Sequence, residues 1–132
     1  MRAATIGFVL LAAIGTAGAQ SQEILIMGGQ SQDEFLGCLT CSEYDSSSVW
    51  SQYGRYSFQN GYGVWNKYGQ HANRYSTYSA CNQYSTNAPA LVDRAGNFYG
   101  RLSVNRYASD SVCGPSGNQQ ICTALRVMCA ED

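Results

Sequence analysis

Cys38 and Cys41, with two residues between them, form a spacing that thiol-disulfide enzymes and zinc sites share. A redox pair of this kind opens a helix, whose N-terminal amides lower the thiol pKa. Here the pair ends a stretch with strand alternation and lacks a βαβ setting. Thiol-disulfide chemistry at Cys38/Cys41 is therefore the alternative reading, not the leading one. Zinc sites favour two closely spaced ligand pairs, yet there is no second C-x-x-C, and His71 is the single histidine. No metal is assigned. Asp33, Glu34, Glu43 and Asp45 lie close in sequence, and paired carboxylates can do acid–base work. Acids flanking strands are more often solvated turn residues, and His71 stands in a polar loop with no evident partner. No catalytic residue and no cofactor are assigned.

The elements that would carry these residues begin after the pattern of a cleavable export signal. Met1 and Arg2 precede an apolar run, Ile6 to Ile14, and Thr16-Ala17-Gly18-Ala19 puts small residues before Gln20. That three-part pattern is a secretory signal over 1–19, too short and diluted to favour a membrane anchor. Residues 20–132 then form one domain with no membrane span. This part carries seven basic residues against nine acids, a net charge of −2. No basic face large enough for nucleic acid follows from that balance. All six cysteines (Cys38, Cys41, Cys81, Cys113, Cys122, Cys129) fall in it, and an even count in a short exported chain predicts three disulfides. The expected location is the periplasm or the extracellular space.

Two segments match internally. Residues 35–44 (FLGCLTCSEY) and 98–107 (FYGRLSVNRY) share Phe, Gly, Leu and Tyr at the same places, and both alternate as strands do. Ile24–Met27 leads into the first through Gly28-Gly29. Ala90–Val92 leads into the second through Asp93–Asn97, where Asp-x-x-Gly is turn chemistry. This pattern predicts two quasi-duplicated hairpins joined into an antiparallel sheet, since one hairpin alone is marginal in water. Gly37 and Gly100 would weaken their strands unless something large covers them, and the intervening aromatic rings are the expected cover.

Between the hairpins, Val49-Trp50-Ser51-Gln52-Tyr53-Gly54 recurs as Val64-Trp65-Asn66-Lys67-Tyr68-Gly69 and Ala80-Cys81-Asn82-Gln83-Tyr84-Ser85, with tyrosines 15 and 16 residues apart. Trp50 and Tyr53, three apart, would share one face of a helical turn capped by Asp45 to Ser48 and ended by Gly54. Short aromatic helical turns are the expectation, followed by a C-terminal helix from about Gly117 to Ala130 capped by Ser116. Its apolar stripe is Ile121, Cys122, Leu125, Met128 and Cys129. In an extended strand Cys38 and Cys41 point to opposite faces, so they are not expected to bond each other. The pairing Cys41–Cys81, Cys113–Cys122 and Cys38–Cys129 is one of fifteen possible sets.

FLGCLTCSEYDSSSVW, the VWNKYG unit and VDRAGNFYGRLSVNRY together resemble a family of small, often exported bacterial proteins. That family is marked by a FLGCL-like strand, repeated S-x-x-W-N-x-Y-G units and a D-x-x-G-N-F-Y-G hairpin. The resemblance spans about Ile26 to Tyr107 and implies a fold, with no established activity and no assigned functional residues. The expected class is therefore α+β: a hairpin sheet, aromatic turns and a C-terminal helix, stabilised by disulfides. The expected function is a non-enzymatic structural or binding module of the cell envelope or extracellular space. Trp50, Tyr53, Trp65, Tyr68 and Tyr84 are its candidate aromatic face, suited to an envelope glycan or another exported protein. The competing reading makes those rings the core of a domain poor in Leu and Ile.

Overall fold

A computed structural model describes residues 23–57 and 69–130; the expected signal segment, Trp65 and Tyr68 lie outside them. Four strands and one helix appear: β1 (Leu25–Gly28), β2 (Glu34–Cys38), β3 (Ala90–Val92), β4 (Phe98–Arg101) and α1 (Gln119–Ala130). The strands form one antiparallel sheet in the order β2-β1-β3-β4. Each hairpin follows from its turn residues. Gly29 and Gln32 take positive φ between β1 and β2, closed by Gln32 N–H donating to the Gly29 carbonyl at 3.1 Å. Between β3 and β4, Asp93 Oδ1 accepts from the backbone N–H groups of Ala95 and Asn97, both at 2.9 Å. Gly96 supplies the positive φ that this turn needs.

The two hairpins meet through β1 and β3, with Ile26 opposite Leu91 and Leu25 and Met27 opposite Val92 and Ala90. Ile26 and Leu91 are both buried, and the core grows outward from that pair. Leu36 and Leu102 extend it within the sheet and its following segments, Val49, Ala80 and Val112 come from turns, and Cys122 and Leu125 come from α1. Burying each of the larger side chains stabilises by about 1.5–3 kcal/mol. The described tyrosines take no part in this cluster, contrary to the expectation that aromatic rings would fill it.

Both outer strands end alike. Gly37 and Gly100 have φ of +128° and +114°. Beyond them Cys38 and Arg101 make parallel bridges to Ser48 and Ser111. Cys38 N–H donates to the Ser47 carbonyl and Arg101 N–H to the Asp110 carbonyl, each at 2.7 Å. The cover over each glycine is a valine side chain and a turn carbonyl, with Tyr56 beside them at Gly37. A Cβ on Gly37 would meet Val49 Cγ1 at 2.6 Å and Tyr56 Cβ at 3.1 Å, and one on Gly100 would meet the Asp110 carbonyl at 3.1 Å and Val112 Cγ1 at 3.9 Å. Tyr56 packs its ring on this sheet, edge-on to Phe35 at 4.8 Å.

The expected helical turns are absent among the described residues; the chain instead runs through successive tight turns. N–H groups of Asp45, Ser48 and Ser51 donate to the carbonyls of Ser42, Asp45 and Ser48, and the pattern resumes from Asn73 to Ser85. Each turn is fixed by a short polar side chain accepting the N–H two residues on, as at Asp45, Ser48, Asn73, Ser76, Ser79 and Asn82. These side chains compete with helical bonding and win because they recur every three residues, out of step with a 3.6-residue helix. The sequence period is therefore three, Ser/Asn/Asp-x-Tyr, and spacings of 15 and 16 are five such steps without and with one inserted residue.

Helix α1 starts later than expected. Gly117 N–H donates to the Gly114 carbonyl, which keeps 114–117 in a turn, and Asn118 becomes the cap by accepting from Ile121 N–H at 3.1 Å. Two of the expected disulfides also differ. Cys113–Cys122 forms, but Cys38 bonds Cys41 and Cys81 bonds Cys129. The opposite-faces argument fails because β2 stops at Cys38 and the chain bends at Leu39 and Thr40, bringing the two Cα atoms to 5.5 Å.

Candidate binding surface

The cysteine pair that opened the chemical question is a closed disulfide with Cys38 fully buried at a strand end. Among the described residues no helix begins there, so the feature that activates redox thiols is missing. Glu23 lies with both sulfurs in one small cluster, but each sulfur is bonded to the other and Glu23 is paired with Arg94 at 2.8 Å. His71 is buried rather than set in an open polar loop. Its ring packs where Gly28 has no side chain, and Nε2 lies 3.4 Å from Glu34 Oε1. Among the described residues Nδ1 has no hydrogen-bond partner and Nε2 faces Glu34 and Gln70, so this ring engages no hydroxyl or thiol there. Of the other acids, Asp45 accepts both N–H and O–H from Ser47, which hold its carboxyl below the usual carboxylate range. It is a turn cap.

The turn ladder leaves a surface of rings. In the Ser/Asn-x-Tyr steps the first residue accepts a backbone N–H, and the tyrosine stands in solvent except at Tyr78, which is half-buried. Ser51 and Asn105, the first residues of two such steps, are buried, while Tyr44, Tyr53, Tyr75, Tyr84 and Tyr107 are exposed, Tyr75 at 91% and Tyr84, the least of the five, at 70%. Tyr53 and Tyr84 of the expected aromatic face are thus open to solvent. Trp50 is placed differently: its Nε1 donates to the Leu39 carbonyl at 2.7 Å, and its ring walls a small apolar pocket of about 230 Å³ with Leu39, Leu102, Ile121, Leu125 and Met128. Trp65 and Tyr68 lie outside the described residues.

Sequence reasoning missed Tyr44, Tyr75 and Tyr107, which the three-residue period would have found. It also missed Arg74 and Arg126, which share a groove of about 650 Å³ with Tyr75 and Tyr84 along the Cys81–Cys129 disulfide. Such a surface offers flat rings, amides and guanidinium donors; it offers no nucleophile–base pair. Comparison with protein-family models, curated proteins and solved structures finds no match to this chain.

Proposed function

We propose that this is an exported, non-enzymatic binding or structural module of the cell envelope or extracellular space, released from a signal segment after Ala19. Its tyrosine-bearing turn ladder makes contact with an envelope glycan or with another exported protein, the glycan being favoured. The observation that carries this reading is the exposure of five tyrosines on a chain with few charges. Rings left in water by the fold's own core are surface available for stacking on sugar faces, with neighbouring amides and hydroxyls to bond their hydroxyl groups. Three disulfides favour an oxidising compartment, and among the described residues no helix is long and apolar enough to cross a membrane. The matched ends of β2 and β4, 63 residues apart in sequence, favour reading the two hairpins as copies of one unit. The test is co-sedimentation of the oxidised chain with purified, insoluble cell-wall glycan. Saturable retention supports the reading; a chain that stays in the supernatant with every glycan tried would remove the glycan from it.

A further inference from the structure

The geometry points to a specific subsite on this surface: the groove between the second run of turns and the end of α1 takes a carboxylated saccharide, a uronate-type sugar. This inference rests on the glycan-binding reading above and names the ligand's chemistry. The groove's base is covalent. Cys81 on the turn ladder is bonded to Cys129 on α1, with Cα atoms 5.4 Å apart, so its two walls keep a fixed separation and binding does not have to order them. Val104 lies half-buried beside the disulfide, and Tyr75 and Tyr84 stand exposed on the ladder side. Their rings suit the C–H faces of a pyranose.

Charge selects among sugars. Arg74 and Arg126 line the groove, and no carboxylate appears among the described lining residues. Arg74 Nη2 donates to the Cys129 carbonyl at 3.3 Å, which ties that side chain to the end of α1. Arg126 lies one helical turn before Cys129 and Ala130, on the same face of α1, and has no ion-pair partner among the described residues. A planar guanidinium matches a carboxylate by paired N–H donors. A phosphate-bearing ligand such as a nucleotide fits less well. Phosphates favour helix N-termini, whereas this groove meets the C-terminal end of α1, whose last carbonyls repel a dianion but accept hydrogen bonds from hydroxyl groups. A monoanion rich in hydroxyls satisfies both ends of the site.

The test is calorimetric titration of the oxidised full chain with an oligogalacturonate, with its methyl-esterified form and with a nucleoside monophosphate. The acid is expected to bind at least tenfold more tightly than the ester, and to weaken as salt rises. R126Q should lose about tenfold for the acid, narrowing the gap between acid and ester, while the thermal midpoint stays within a few degrees, with R126K recovering part of the loss. Equal affinity for acid and ester, no effect of R126Q, or tighter binding of the nucleotide would each overturn the uronate assignment. None of those results touches retention on wall glycan through Tyr44, Tyr53 and Tyr107, which lie outside this groove. Failure of that retention instead sinks the broader reading.

Discussion

Gly37 and Gly96 show how much a single missing side chain decides. Both have positive φ, yet a Cβ at Gly37 would sit 2.6 Å from Val49 Cγ1, whereas one at Gly96 meets nothing within 4 Å. Gly37→Ala therefore adds overpacking to backbone strain and should destabilise by about 2–5 kcal/mol, while Gly96→Ala should lose only about 1–2 kcal/mol. Urea unfolding of the two variants checks this, and equal losses would contradict it. Asp45 gives a second residue-scale outcome. Its carboxyl is held low first by the Ser47 N–H, then by the Ser47 hydroxyl. A depressed folded-state pKa means that the contribution is present above the unfolded value and is lost as the pH falls below about 4. Ser47→Ala should move the Asp45 pKa up towards the ordinary range, read from its carboxyl carbon shift by NMR; an unmoved titration would show that the hydroxyl contributes nothing.

At the scale of elements, the disulfides divide the work unequally. Cys81–Cys129 closes a separation of 48 residues and ties the turn ladder to α1, so C81A/C129A should lose about 4 kcal/mol in the loop-entropy account. Cys38–Cys41 closes a separation of three, and C38A/C41A should lose about 1.5 kcal/mol. Thermal unfolding under non-reducing conditions ranks them; the reverse order would place the main constraint in the wrong bridge. The strands and the C-terminal helix were legible in the sequence because their signals are local: apolar runs, Asp-x-x-Gly and a five-residue apolar stripe. Cys113–Cys122 was legible for the same reason, spanning one turn and the start of α1. The other two pairings were not, since they depend on where β2 stops and on the path of the ladder. The ladder itself was misread as helical because Trp50 and Tyr53, three apart, fit a helical face as well as a three-residue turn. Only the recurring Ser, Asn and Asp caps separate the two.

Taken as a whole molecule, the described part of the protein keeps a small aliphatic core and leaves Tyr44, Tyr53, Tyr75, Tyr84 and Tyr107 in solvent. The sequence had offered two destinations for those rings, core or contact surface, and composition could not choose between them. Among the described residues, Ile26, Leu36, Leu91, Leu102 and Leu125 fill the interior with little help from aromatic side chains. The rings then add little to folding and are free to serve contact, which separates stability from binding. Replacing Tyr44, Tyr53, Tyr75, Tyr84 and Tyr107 together by serine should leave the thermal midpoint of the oxidised chain within a few degrees of its starting value. Retention of that variant on insoluble wall glycan, measured against the unaltered chain, is the most direct check. The expected result is loss of at least tenfold in affinity from a folded protein. Undiminished retention, with the fold intact, would contradict a contact role for the exposed tyrosines.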